Sequence, residues 1–318
     1  KELARQAYKL GKDVRDWKVE FAQKDLIDSG LDKNKIVPIL YRPFDVRYTY
    51  YTGRSRGFIC MPRPEVMQHM LKENLGLITS RQMDKSGFQP VFITDAIIDA
   101  HCITSATSIS NIFPIYIYTD NGILHQHQGQ QERKININKQ IIEYLEQLYQ
   151  RHLLPEEIFY YLYAVLYSNT YRSKYAEFLK MDFPRIPFTS DVRLFQQMAD
   201  LGRRLADLHL LKANELDPPI ARFQGQGDNR VEKVIYKDCR VYINKSQHFE
   251  PVPPEVWSYQ IGGYQVCSKW LKDRKGRVLS LDEIKKYCQI VTALKITIDV
   301  QEQIDDLYPS IVKAIVKF

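Results

Sequence analysis

The sequence predicts an α+β fold, with a mixed β-sheet lobe followed by a helical segment and a smaller β/α C-terminal lobe. Three observations carry that reading. Between residues 141 and 211 apolar side chains recur every three or four positions, the period of an amphipathic helix. Between 36 and 122 short alternating segments are broken by Gly76, Gly87, Pro90 and Pro114, as strands are. Near the end a hairpin-like pair precedes Ser280 and Glu283, the spacing of a capping box at a helix start.

Taken in order, Leu3, Ala7, Leu10, Val14, Trp17 and Phe21 predict an amphipathic helical stretch over 1–35. Leu75–Thr79, Val91–Thr94 and Ile112–Tyr118 read as strands, and the glutamine-rich tract His125–Glu132 as a surface loop. Asn138 is an N-cap ahead of Ile141, Ile142, Leu145 and Leu148, and Pro155 opens the next helix at a first-turn position. A third helix spans Asp191 to Leu211. A loop, Pro218–Asn229, then leads to the pair Val234–Tyr236 and Val241–Asn244, and Pro309 is expected to interrupt the last helix. The implied boundaries are 1–35, 36–135, 136–215 and 216–318.

The chain has 318 residues, 44% of them hydrophobic and 26% charged, which suits a soluble globular class with a sizeable core. The apolar run around Ile115–Tyr118 falls far short of the roughly 20 residues that span a bilayer, and no signal-peptide pattern opens the chain. No membrane partner is expected. Because the chain opens at Lys1 within a helical pattern, it reads as a piece of a longer polypeptide. Cys60, Cys102, Cys239, Cys267 and Cys288 are odd in number and show no C-x-x-C spacing, which disfavours a disulfide framework or a structural zinc site and fits a reducing cytoplasm. A net charge of +7 permits nucleic-acid binding without requiring it.

Several strings resemble chemistry on weak grounds. Asp217-Pro218-Pro219-Ile220 lacks the aromatic ring that would stack on a flipped base, and Phe223–Gly227 matches a cofactor-loop pattern without strand and helix context. His125 and His127 stand in a polar tract with no acid or thiol beside them. Asp95, Asp99 and His101 suit either a metal or acid–base site, or turn-forming side chains at a strand end. No Walker A, Rossmann or nucleophile-elbow motif is present. No catalytic, cofactor-binding or metal residue is therefore assigned.

The segment Tyr41–Pro64 holds five arginines, Arg42, Arg47, Arg54, Arg56 and Arg63, against one acid, Asp45. They are interleaved with Tyr41, Phe44, Tyr48, Tyr50, Tyr51 and Phe58. Guanidinium groups suit phosphate and guanine because their planar fork presents two parallel donors, and tyrosine hydroxyls reach phosphates. The competing reading is a half-buried strand whose arginines are solvated or paired. A second basic cluster, Lys269, Lys272, Arg274, Lys275 and Arg277, follows the same alternatives on a turn after Trp270.

The phrases Tyr41–Asp45 with Arg47–Tyr51, Pro62–Met67, Ser80–Gln82, Leu162–Phe188, Phe249–Pro253, Ile261–Tyr264 and Trp270–Arg274 stand in consistent order across the chain. Together they resemble the C-terminal target-recognition region of Type ISP restriction-modification enzymes and related Type IIG enzymes with a fused adenine methyltransferase. The resemblance implies a non-catalytic, sequence-specific module for double-stranded DNA. It makes 1–35 a connector from an upstream methyltransferase domain of the same chain and 36–135 the recognition lobe. S-adenosylmethionine would bind in that upstream domain, and adenine N6 would be methylated there. The residues expected on DNA are Arg42, Arg47, Tyr51, Arg54, Arg56, Arg63, Arg81, Gln82, Tyr171, Arg172, Lys174, Lys269, Arg274 and Lys275, with Asp45 orienting Arg42 or Arg47. Two alternatives stay open: a self-contained enzyme built on Phe223–Gly227 or on Asp95, Asp99 and His101, and a coupling domain whose helices over 141–211 dock another domain.

Overall fold

The computed structural model describes residues 2–14, 17–81, 91–104, 108–119 and 133–317. The expected helical stretch at the N-terminus divides into α1 (Glu2–Tyr8) and α2 (Val19–Ser29). Lys9 adopts a left-handed φ of 52°, and Asp13 takes the Val19 N–H at 3.0 Å, so the backbone leaves the helix and restarts it. Leu3 and Val14 are consequently exposed, while Val19 and Ala22 are buried.

Strands β1 (Ile36–Arg42) and β2 (Asp45–Tyr50) form an antiparallel hairpin. After α3 (Pro64–Met70) come β3 (Gly76–Thr79), β4 (Val91–Thr94), the short β5 (Ile97–Ile98), β6 (Asn111–Pro114), β7 (Tyr116–Tyr118) and β8 (Arg133–Ile135). One sheet has the order β2-β1-β5, with β5 parallel to β1, a second is antiparallel β4-β3-β6, and β7 pairs with β8. The single strand expected over Ile112–Tyr118 divides because Ile115 donates its N–H to the Leu75 carbonyl at 2.8 Å, which turns the chain from one sheet to the next. The expected loop at His125–Glu132 lies outside the described residues.

Asn138 caps α4 (Lys139–Tyr149) by accepting from the Gln140 N–H, and Pro155 opens α5 (Pro155–Tyr167). Two short helices follow, α6 (Asn169–Lys174) and α7 (Ala176–Leu179), and Asp191 caps α8 (Val192–His209). Helices α5 and α8 pack against each other and against the last helix of the chain. Tyr161, Tyr163, Tyr167, Phe195, Met198 and Leu205 are fully or almost fully buried there. The faces carrying these side chains are thus packed inside this chain, while Tyr144, Leu148 and Phe178 of the same helical region stay exposed.

His209 sits in that core. Its Nδ1 lies 2.7 Å from the Tyr163 hydroxyl and its Nε2 3.0 Å from Thr297 Oγ1. Thr297 already donates to the Ala293 carbonyl, so His209 carries its proton on Nε2 and accepts from Tyr163 on Nδ1. Burial, helped by the nearby Arg172 charge, pushes its pKa down to about 3. The unfolded chain, with a histidine near 6.5, binds a proton that the folded chain refuses across that interval, so stability falls as pH falls. Between pH 7 and pH 5 this one group should take away about 2 kcal/mol. Unfolding of wild type and His209→Gln at the two pH values checks this, since the variant should lose that part of the pH dependence.

The C-terminal part builds a four-stranded sheet from β9 (Arg222–Gln224), β10 (Ile235–Lys237), β11 (Arg240–Tyr242) and β12 (His248–Glu250), in the order β10-β11-β12-β9. The segment expected as a plain loop at Pro218–Asn229 therefore contains a strand, held by antiparallel pairing to β12 and by Phe223 against Phe249 at 4.7 Å. Asp238 and Cys239, both at positive φ, make the two-residue hairpin turn between β10 and β11. Helix α9 (Pro254–Ser258), the hairpin β13 (Gln260–Ile261) and β14 (Tyr264–Gln265), and α10 (Val266–Lys272) lead to α11 (Leu281–Lys313), started by the Ser280–Glu283 capping box. Gly262, at φ 57°, lies against the Ile103 carbonyl, where a Cβ would come within 1.7 Å of the oxygen, so only glycine lets this hairpin meet the N-terminal part. Pro309 does not interrupt α11. It is exposed in the last turns, and buried Tyr308 and Ile311 on either side anchor the helix against the loss of one backbone bond.

Candidate nucleic-acid interface

The β1–β2 hairpin packs two guanidinium groups on Tyr41, with Arg42 4.0 Å and Arg47 3.8 Å from the ring centroid. Arg42 bonds Asp99 Oδ1 at 2.8 Å and keeps only 15% of its side chain exposed, so it is tied into the fold rather than presented to a partner. Arg47 bonds Asp45 Oδ2 at 2.8 Å and stays 39% exposed. Asp45 is buried and also accepts from Arg274 Nη2 at 2.8 Å. Burial by itself would raise its pKa, but hydrogen bonds from Arg274 and then Arg47 outweigh that and hold the carboxyl below its ordinary range.

Beyond β2 the chain forms a loop, 51–63, that α2 pins in place. Tyr51 is buried, and its hydroxyl donates to the Pro62 carbonyl at 2.9 Å, closing the two ends of the loop. Tyr51 thus serves the loop internally instead of reaching a phosphate. Asp25 of α2, also buried, accepts from Thr52 Oγ1 at 2.8 Å and from the Phe58 N–H at 2.9 Å. Trp17 Nε1 donates to the Phe58 carbonyl at 3.0 Å. From this frame Arg54 projects, 55% exposed, to Asp28 at 3.2 Å. Arg56 and Arg63 are exposed, at left-handed φ values of 54° and 49°, and have no ion-pair partner among the described residues. Guanidinium groups on a backbone already ordered can meet phosphate or a guanine edge with little further loss of chain entropy.

The second basic cluster divides between core and surface. Arg274 is buried, its guanidinium 3.4 Å from the Trp270 ring centroid and bonded to Asp45, to Glu283 at 3.1 Å and to the Trp270 carbonyl at 3.0 Å. Expected on DNA, its guanidinium is instead turned into the protein in this structure. Lys269 bonds Asp273 at 2.6 Å, whereas Lys275 is exposed. The Asp45–Arg274 bond spans 229 positions and brings the two basic segments of the sequence side by side.

The family model described as the Type ISP C-terminal specificity domain matches residues 1–304. This chain belongs to that family. No curated protein matches it in sequence. Three solved structures share the fold of this specificity domain. A nuclease-deletion mutant of the Type ISP restriction-modification enzyme LlaGI, in complex with a DNA substrate mimic, has a TM-score of 0.60 at 23% identity over 86% of this chain and 25% of the other. The ATP-dependent Type ISP enzyme LlaBIII, bound to DNA, has a TM-score of 0.67 at 19% identity over 89% and 19%. The DrdV–DNA complex has a TM-score of 0.68 at 21% identity over 95% and 31%. The specificity domain thus spans a third or less of each of these chains.

Elsewhere in the specificity domain, Arg81 is exposed and pairs with Asp182 at 3.0 Å, while Gln82 lies outside the described residues. Tyr171, expected on DNA, is buried with its hydroxyl on the Arg185 carbonyl at 2.9 Å. Arg172 donates from Nε to the Leu166 carbonyl at 2.6 Å and lies 4.8 Å from the Tyr167 ring centroid. Both complete the α5–α6 junction, and of this group only Lys174 is exposed. Asp95 bonds Lys212 at 2.7 Å, Asp99 bonds Arg42 and also accepts the His101 backbone N–H at 2.9 Å as a turn-forming carboxylate, and His101 Nδ1 meets the Ser108 carbonyl at 2.9 Å, so the three side chains do not converge. Among the described residues no group of three His, Cys, Asp or Glu side chains could hold a metal. His125 and His127 lie outside those residues. Asp217 pairs with Lys285 at 3.1 Å. In the Phe223–Gly227 string, a Cβ on Gly225 would come within 2.0 Å of the Ser246 carbonyl oxygen, so that glycine answers to its own sheet rather than to a cofactor.

Sequence reasoning missed Asp25 and Asp28 and gave Trp17, Asp99 and Glu283 other roles, whereas all five position the arginines and the loop that carries them. Asp25 and Phe58 are 33 positions apart, and no spacing rule links an acid on one helix to the amides of a later loop.

Proposed function

We propose that this chain reads DNA sequence for a restriction-modification enzyme. Membership of the specificity-domain family over residues 1–304 carries the reading, and the pinned loop with Arg54, Arg56 and Arg63 supplies a surface suited to it. The domain grips phosphates to set register and aims a few side chains at base edges. It holds the duplex while a preceding domain of the same polypeptide, binding S-adenosylmethionine, flips and methylates adenine at N6. The chain itself does no bond chemistry, and its place is the cytoplasm. The LlaGI, LlaBIII and DrdV structures, each with DNA, support the partner. No helix among the described residues is long and apolar enough to cross a membrane.

Selection from a randomised duplex library at moderate salt tests the proposal. One short motif should be enriched. Absence of binding at low salt would sink it and favour the coupling reading. A coupling role through a surface other than the helices over 141–211 has an observation of its own: a cleft of about 480 Å³ between α2 and the hairpin is lined by Leu31, Ile36 and Tyr48, all exposed.

A further inference from the structure

We infer that a cationic ridge beside the Asp45–Arg274 bond is a DNA-backbone grip, distinct from the loop 51–63 that projects Arg56 and Arg63. The inference rests on the proposed DNA partner and adds where the phosphates lie.

Three chain segments, far apart in sequence, converge there. Arg47 and Arg274 share Asp45, Arg274 and Arg277 share Glu283, and Arg230 Nη1 donates to the Gly276 carbonyl at 2.9 Å. Backbone bonds fix the same arrangement: Val231 donates to the Arg277 carbonyl at 2.9 Å, Gly276 to the Val231 carbonyl at 2.7 Å, and Leu279 to the Asn229 carbonyl at 2.9 Å. The charges are layered. Beneath lie Asp45 at 1%, Glu283 at 21% and Asp273 at 16% side-chain exposure, while Arg47 at 39%, Arg230 at 47% and Arg277 at 55% stand outside them. Lys272 and Lys275, on the same turn, are exposed and have no ion-pair partner among the described residues. Asp228, which pairs with Arg230, shares the surface with the cations, and Glu232 and Asp282 are exposed next along these segments, three acids against the five cations Arg47, Arg230, Arg277, Lys272 and Lys275.

Carboxylates buried under cations fix side-chain positions while leaving the outer field positive. Because Arg230 and Arg277 each spend some donors inward on a carbonyl or a carboxylate, what they present outward is charge with few free directions. That suits phosphate, which accepts from a broad range of angles, better than a base edge.

The test is a salt titration of duplex affinity for the wild-type chain, for Lys272→Gln/Lys275→Gln, and for Arg230→Gln/Arg277→Gln, using the duplex enriched from the library. The lysine pair makes no ion pair among the described residues, so its removal leaves the fold in place and keeps the test valid if the arginine pair loosens the turn. Each phosphate that is no longer neutralised should flatten the log–log salt slope by about 0.9, so each double variant should flatten it by up to about 1.8. Affinity should fall alike for matched and mismatched duplexes, with the enriched motif unchanged. An unchanged slope in the lysine pair, while the wild type still binds and selects its motif, overturns the ridge and leaves the proposed function standing. A changed motif also overturns it, because the ridge would then read bases. A wild type that binds no duplex removes the proposed function itself, and the ridge with it.

Discussion

Asp45→Ala should lower the unfolding free energy by about 3–5 kcal/mol, the range for removing one partner of a buried ion pair. The substitution leaves the Arg274 guanidinium, 7% exposed, with Glu283 as its remaining carboxylate, and it frees Arg47 from its own bond. It also cuts a direct ionic link between the β1–β2 hairpin and the turn after α10. Denaturant unfolding of the two proteins gives the difference, and coincident midpoints would show that the bond does not hold these elements together. Since hydrogen bonds from two guanidinium groups outweigh burial and hold the Asp45 carboxyl below its ordinary range, the contribution is present above about pH 4 and is lost as pH falls through the lowered value. A double variant, Asp45→Leu with Arg274→Met, should recover much of the loss, because two apolar side chains of similar volume leave no buried charge unpaired.

Charge reversal on the pinned loop, Arg56→Glu with Arg63→Glu, should weaken duplex binding by about thirtyfold to ten-thousandfold, since two guanidinium contacts with bases at about 1–3 kcal/mol each sum to about 2–6 kcal/mol. Stability should change little, because both side chains are exposed and neither has an ion-pair partner among the described residues. Fluorescence anisotropy on the enriched duplex at fixed salt, with thermal unfolding beside it, separates the two effects. Wild-type affinity in the double variant would remove the loop from the interface. Arg274→Ala reports the opposite pattern: it should unfold the chain more readily, and any drop in DNA affinity should follow the folded fraction.

Much of the fold was legible because its signals are local. The caps at Asn138, Asp191 and Ser280 and the first-turn Pro155 need only neighbours within a few positions to act, and each starts the helix that its position announces. The strands Gly76–Thr79 and Val91–Thr94 were legible as short runs, although Val91–Thr94 is buried on both faces rather than alternating as expected. Expectations that failed depended on contacts that residue type and periodicity do not carry. Phe223 gains a strand only by meeting Phe249, the stretch before Val19 breaks where Asp13 recaps the chain, and Pro309 is tolerated because Tyr308 and Ile311 are buried around it.

The same division runs through the candidate interface. Composition and pattern by themselves determined the α+β class, the starts of the principal helices and the two basic segments, since these follow from residue types and spacing along one strand of chain. Which basic residues face solvent was decided only by the tertiary structure. Arg42, Arg47, Arg274 and Arg277 are chemically alike in the sequence, and their fates differ because Asp99 reaches Arg42 across 57 positions, Asp45 holds its neighbour Arg47 and also the distant Arg274, and Glu283 binds Arg274 while leaving Arg277 half exposed. A local pair such as Asp45 with Arg47 is visible in the spacing, but a buried guanidinium such as Arg274 finds its carboxylate wherever the fold brings one, and a pairing across 229 positions leaves no trace in local spacing.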